Sequence, residues 1–172
     1  MSLWSRSILL GLISVLGLYP QLLLPKQQPT NVFNVPDELR ACLKTKPELE
    51  INWGINPFYI GGDFDGDSFT DFAVQVETIK DQRHGVLLCL AKRGSVLIGA
   101  GAPFLSIGNL DKWPFDSWML VRKGSKRLSI YRQIKFDALA LFNGDAAGEL
   151  VYWGGRKFVE QGGRFFLDDS LK

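Results

Sequence analysis

Residues Gly61–Val76 read GGDFDGDSFTDFAVQV and put Asp63, Asp65, Asp67 and Asp71 at positions 1, 3, 5 and 9 of one loop. Four carboxylates so close repel one another unless a cation sits among them, which makes this segment the strongest constraint on the fold. Around a hard ion that takes 6–8 oxygens at about 2.3–2.6 Å, the same crowding becomes coordination. Calcium is the expected ion. Magnesium prefers to keep its waters in a rigid octahedron, and zinc or copper would want nitrogen and sulfur donors that the segment lacks. The main-chain carbonyl of Phe69, at position 7, is the expected backbone ligand, and Gly66 gives the chain freedom to curl. The plainer alternative is a solvated Asp-Gly turn, but alternating carboxylates exceed what a turn requires. An EF-hand is excluded: its position 12 needs a bidentate Glu, whereas Val74 stands there and a strand pattern follows.

That strand pattern sets the fold class. Phe72, Val74 and Val76 alternate with Ala73, Gln75 and Glu77, the signature of a half-buried strand. Polar turns at Lys80–Gly85 and Lys92–Gly94 divide Asp71–Thr78, Val86–Ala91 and Ser95–Ile98 into a meander whose middle strand is apolar on both faces. Trp118–Arg122, Leu128–Ile134, Ala138–Phe142, Leu150–Trp153 and Lys157–Glu160 continue it, with Gly154-Gly155 suited to a tight two-residue hairpin. Ahead of the sheet, Pro36 at a first helical position, Asp37 and Glu38 in the first turn, and Leu39, Cys42 and Leu43 on one face predict a short amphipathic helix ended by Pro47. The expected class is α+β: a predominantly antiparallel meandering sheet, one short packed N-terminal helix, and an irregular Gly99–Phe115 loop.

The N-terminus reads separately. Ile8–Leu18 is an uncharged apolar run following Arg6, of a length that suits a signal-peptide core and is short for a spanning helix, which needs about 20 residues. Gln21–Leu24 resumes the apolar pattern and no small-x-small cleavage site follows, so an uncleaved anchor over residues 7–24 stands as the alternative to a cleaved signal. The expected organisation is a signal peptide or anchor at 1–25, a polar linker with Pro29 at 26–34, and one β-rich domain at 35–172. This points to an exported protein, periplasmic or secreted, touching a membrane only through an uncleaved N-terminal segment.

The spacing D-x-D-G-D-x-x-x-D followed by F-A-V, Asp63–Val74, resembles the calcium loop of FG-GAP and VCBS-type repeats, and integrin-like propeller blades carry related loops. The likeness covers Phe58–Val76. The body also resembles short exported bacterial proteins with one such loop and a late Tyr-Trp-Gly-Gly-x-x-Phe hairpin, here Tyr152–Phe158. The family pattern has Gly where Ser68 stands, which implies either a left-handed Ser68 at a cost of about 1 kcal/mol or a loop of different shape. An echo follows later: Phe142-Asn143-Gly144-Asp145-x-x-x-Glu149 lines up with Phe64-Asp65-Gly66-Asp67-x-x-x-Asp71, but Leu141 occupies the place of Asp63. Asn143, Asp145 and Glu149 therefore make at best a degenerate second loop, and a polar Asn-Gly turn explains them as well.

Outside the loops the chemistry is thin. The chain has 172 residues with 20 Lys and Arg against 18 Asp and Glu, which excludes a strongly basic nucleic-acid binder. A single His, His84, and no nucleophile signature leave little for covalent or relay catalysis. Arg122, Lys123, Lys126, Arg127, Arg132 and Lys135 form a basic stretch without an acid, either an ordinary outward hairpin face or a surface for an anionic partner. Trp113, Phe115 and Trp118 are expected as lids on the core rather than as a recognition surface. Cys42 and Cys89 fall on the helix and the buried strand, which should pack together; in an oxidising compartment they could pair, and otherwise they are buried thiols. The expected function is an exported, calcium-binding β-rich module, the ion mainly structural, which recognises an unidentified protein or envelope partner. The alternative is a metal-assisted hydrolase with the acidic loop as active site. A site closed by protein oxygens favours the first, and a spare carboxylate poised over an open coordination position the second.

Overall fold

In a computed structural model the chain separates into two compact units, residues 1–33 and 34–172. The structure describes residues 35–102, 114–125, 134–144 and 147–163. The expected signal or anchor, the linker, Trp113, Lys126, Arg127, Arg132 and Asp145 lie outside the described residues, as do most of the Leu128–Ile134 strand and most of the Gly99–Phe115 loop. Among the described residues no helix is long and apolar enough to cross a membrane.

Helix α1 is Asp37–Lys44, with Asp37 and Glu38 in its first turn and Lys44 in its last, each sign placed where it complements the helix dipole. Pro36 sits one residue earlier than expected, as the cap whose carbonyl accepts the Arg40 N–H. The helix buries Leu39 completely against one face of the first sheet.

That sheet contains β1 (Leu49–Ile51), β2 (Tyr59–Gly62), β3 (Asp71–Thr78), β4 (His84–Leu90) and β5 (Gly94–Gly99), all antiparallel. β1 and β2 share one edge of β3: Ile51 lies opposite Val76, and Tyr59 opposite Val74. Between them Gln75 bonds both ways, its N–H donating to the Phe58 carbonyl and its carbonyl accepting from the Asn52 N–H. The second sheet is a plain meander of β6 (Ser117–Val121), β7 (Ala138–Asn143), β8 (Ala147–Trp153) and β9 (Phe158–Gly163). β8 and β9 are joined by four residues rather than two, because Trp153 pairs with Phe158 and the Gly154 N–H donates to the Lys157 carbonyl.

The antiparallel meander and the single helix match the patterning, but the meander divides into two sheets packed face to face. Ala73, Val86, Leu88, Leu90 and Ile98 from the first meet Trp118, Leu139, Leu141, Val151 and Phe158 from the second. Phe115 and Trp118 are buried here as core, and the Trp118 indole donates to the Pro57 carbonyl at 2.6 Å. The opposite face of the first sheet holds Val74, Val76, Leu87 and Cys89 under α1. β3 is therefore buried on both sides, Ala73 and Gln75 included, where its alternation predicted a half-buried strand. Burying each large side chain on these faces contributes roughly 1.5–3 kcal/mol.

Cys42 of α1 and Cys89 of β4 are joined as a disulfide with Cα atoms 6.0 Å apart. The bridge fixes the helix to the strand opposite Phe72, one residue beyond the acidic loop.

Candidate metal centre

The acidic loop joins β2 to β3, and its ends are held by the Gly62–Asp71 strand pair. Its carboxylates stabilise it by a run of short-range bonds. Asp63 Oδ1 accepts the Gly66 N–H at 2.8 Å, Asp65 Oδ1 the Asp67 N–H at 3.2 Å and Asp67 Oδ1 the Phe69 N–H at 2.9 Å. These side-chain turns curl the backbone inward. Gly66 has φ +79° and Ser68 φ +66°, so both take the left-handed conformation. At Gly66 a second constraint applies, since a Cβ there would lie 2.1 Å from the Phe136 ring.

Asp71 closes the loop. Its side chain is inaccessible; Oδ2 accepts the Phe64 N–H at 2.9 Å and Oδ1 the Ala91 N–H at 2.8 Å, so it ties the loop to the end of β4. Burial pushes its pKa up, the Asp65 charge adds to that, and the Ala91 and Phe64 N–H bonds pull it back. An anion kept in such a place gains most from a nearby cation.

Asp63, Asp65 and Asp71 each offer a carboxylate oxygen within 4.8 Å of the others, and this acidic cluster can coordinate a metal ion. It is the one group of three or more potential metal-ligating side chains among the described residues. Asp67 does not belong to it, although its Oδ2 is enclosed and accepts no hydrogen bond. The Phe69 side chain is half exposed with the Lys92 ammonium 3.4 Å above its ring. An all-oxygen donor set suits a hard cation.

Residues that sequence reasoning did not single out complete the site. Arg93, in the turn between β4 and β5, sets Nε 2.7 Å from Oδ2 of the fully buried Asp65 side chain. Asp137, just before β7, reaches across from the second sheet. Its Oδ2 accepts the Asp63 N–H at 3.2 Å and Arg122 Nη1 at 3.0 Å, its Oδ1 accepts the Lys123 N–H at 3.0 Å, and its own N–H donates to the Asp63 carbonyl at 3.1 Å. With Phe136 on Gly66, this clamps the loop from the second sheet. The only hint in the sequence was one Asp ahead of the apolar Ala138–Phe142 run.

Beside the loop lies an open polar cavity of about 600 Å³ lined by Gly61, Gly62, Asp63, Ser68, Phe69, Thr70, Arg122, Lys123 and Asp137. Asp63 thus belongs both to the acidic cluster and to the cavity wall. Of the basic stretch, Arg122 and Lys123 face this cavity, and Lys135 is exposed elsewhere on the surface.

Among the described residues the echo forms no second cluster, and Asp145 lies outside them. Asn143 pairs with Ala147 across a tight hairpin, and Glu149 is buried in β8 opposite Leu141. His84 opens β4 with Nε2 3.2 Å from Glu77 Oε2. No protein-family model matches the chain, and neither a curated protein nor a solved structure matches it.

Proposed function

We propose that the Asp63–Asp71 loop holds a divalent cation, calcium, and that this ion serves a ligand or substrate in the adjoining cavity. The observation that carries this reading is Asp63, a member of the three-carboxylate cluster that also lines the cavity. A bound ion would then present one side to the cavity instead of being enclosed by protein oxygens. That favours a metal-assisted hydrolase over a purely structural ion. Asp63, Asp65 and Asp71 would hold the ion, which would supply Lewis acidity to a bound substrate. Asp71 and Asp137 hold the loop against both sheets, and the Arg93 guanidinium balances part of the acidic charge.

The second reading, a calcium-stabilised interaction module, has its own support. Both oxygens of Asp71 are bonded to main-chain N–H groups of different elements, so an ion here would also reinforce the junction of β2, β3 and β4. The loop's likeness to FG-GAP and VCBS-type repeats favours calcium in either case. The Cys42–Cys89 bridge favours export, since disulfides persist mainly in oxidising compartments.

Calorimetric titration with calcium and magnesium, followed by assays of ester, phosphoester and glycoside cleavage with and without chelator, separates the readings. Calcium-dependent turnover that Asp63→Asn abolishes is expected of the hydrolase. Saturable calcium binding without turnover leaves the module, and absence of binding overturns both.

A further inference from the structure

We infer that the cavity beside the acidic loop binds a small oxyanion-bearing molecule, a carboxylate or a phosphate, between the loop's cation and the side chains of Arg122 and Lys123. The inference rests on the cation reading above and adds the class of ligand to it.

Charge balance makes the first argument. Asp63 and Asp137 set two carboxylates in the cavity wall against Arg122 and Lys123. A dication held by Asp63, Asp65 and Asp71, with the Arg93 guanidinium already on Asp65, balances those three carboxylates and leaves Asp67, away from the cavity wall, as the loop's remaining negative charge. Asp63 is then neutralised, and the cavity retains two cations against Asp137 alone. A pocket with that imbalance next to a metal ion attracts an anion.

Geometry makes the second. Asp137 Oδ2 is shared by the Asp63 N–H and Arg122 Nη1, so one oxygen atom links the first residue of the ion loop to the guanidinium. Asp137 is nearly inaccessible while the Arg122 side chain is 69% exposed. The buried carboxylate thus orients a guanidinium whose remaining donors are open to solvent. Arg presents these donors in a planar fork that suits carboxylate and phosphate oxygens. The Lys123 main chain is fixed on Asp137 Oδ1 as well, and Lys123 lines the same wall.

Coordination makes the third. A hard dication takes 6–8 oxygens, the cluster brings one carboxylate oxygen from each of three residues together, and an oxyanion is a hard donor that can take a position facing the cavity. Half-exposed Phe69 lines the same space. The volume, about 600 Å³, is within the range of small-molecule sites.

The test is calorimetric titration of the full-length protein, in calcium and in chelator, with glucuronate, glucose 1-phosphate and uncharged glucose. At least one of the two anions should bind in calcium, weaken at least about tenfold in chelator, and leave glucose without measurable binding. The carboxylate and phosphate arms identify which oxyanion the site prefers. Arg122→Gln and Lys123→Gln should each weaken that binding by about tenfold, and a calcium titration of the same proteins reports on the ion independently. Lys123→Gln is the informative variant if loss of the Arg122–Asp137 pair loosens the fold. Calcium binding with no anion binding, or anion binding that neither substitution weakens, overturns the ligand assignment and spares the ion. Absence of calcium binding overturns the ion reading and this inference with it.

Discussion

The chain contains the pattern Phe-Asx-Gly-Asp-x-x-x-acid twice, and the two copies fold differently. At Phe64–Asp71 the strand pairing stops at Gly62 and Asp71, leaving a broad loop with inward carboxylates. At Phe142–Glu149 it continues to Asn143 and Ala147, leaving a tight hairpin. The residue ahead of each pattern decides between them. Asp63 caps the Gly66 N–H and joins the acidic cluster, which opens the loop. Leu141 is buried between the sheets opposite Glu149, which draws the strand onward. The two copies thus differ in the residue ahead of the pattern, a polar Asp63 in the acidic cluster and an apolar Leu141 in the core.

Exchanging that residue gives the largest expected effect. Leu141→Asp buries a carboxylate in the inter-sheet core and removes a fully enclosed Leu. Together these cost about 5 kcal/mol or more, comparable to the whole stability of a small domain. Denaturant unfolding should show a protein that is largely unfolded in buffer. A folded Leu141→Asp protein that gained a second equivalent of calcium would show instead that the hairpin is a latent ion loop.

The glycines sharpen the comparison. Gly66 and Gly144 occupy equivalent pattern positions, and both have positive φ, +79° and +60°. A Cβ on Gly66 meets the Phe136 ring at 2.1 Å, whereas one on Gly144 meets nothing within 4 Å among the described residues. Gly66→Ala should therefore cost about 3 kcal/mol, combining backbone strain with overpacking, and Gly144→Ala about 1 kcal/mol from strain alone. Equal losses in thermal melts would show that Phe136 yields freely and that the loop is not clamped from the second sheet.

A smaller change is expected from Asp63→Leu, which gives the loop the hairpin's residue. With calcium at a hundredfold excess over its dissociation constant, the native protein should gain about 2.7 kcal/mol over the chelated state and the variant nothing. Melting curves with and without chelator measure that difference directly. A gain that survives in Asp63→Leu would remove Asp63 from the ion's ligands.

Much of this contrast was legible in the sequence, and the remainder was hidden for physical reasons. The period-two run of β3, the apolar β4 and the capped pattern of α1 mark themselves, because each residue's burial follows from its own element. β1 and β2 did not, since Leu49–Ile51 is three residues long and Tyr59–Gly62 ends in two glycines, too short and too weakly β-forming to register a period. Ala73 and Gln75 read as solvent-facing because alternation cannot reveal a second sheet packed over them. The acidic ligands were visible through their spacing. Asp137 and Arg93 were not: their roles depend on contacts 74 and 28 positions away, with Asp63 and Asp65, which no local pattern encodes. Long-range partners of this kind are set by the packing of the two sheets.

The last and smallest effect is expected at the second copy of the pattern, from Asp116. Asp116, ahead of β6, accepts the Gly144 N–H on Oδ2 at 3.0 Å and the Ser117 hydroxyl on Oδ1 at 3.0 Å. These bonds hold its pKa below the ordinary carboxylate value of 3.8, the Gly144 N–H being the larger cause. A depressed folded-state pKa adds stability at pH values above 3.8, and that contribution is lost as the pH falls through the folded-state value. Asp116→Asn should therefore melt slightly below the native protein at neutral pH, with the gap closing in strongly acidic buffer. Because Asp116 is exposed, the effect should be small and should shrink further in salt. Calcium should leave the gap unchanged, since Asp116 bonds Gly144 and Ser117, outside the Asp63, Asp65 and Asp71 cluster. A gap that widened with calcium would mean that the two copies are coupled through the second sheet, and the hairpin would then belong to the metal centre.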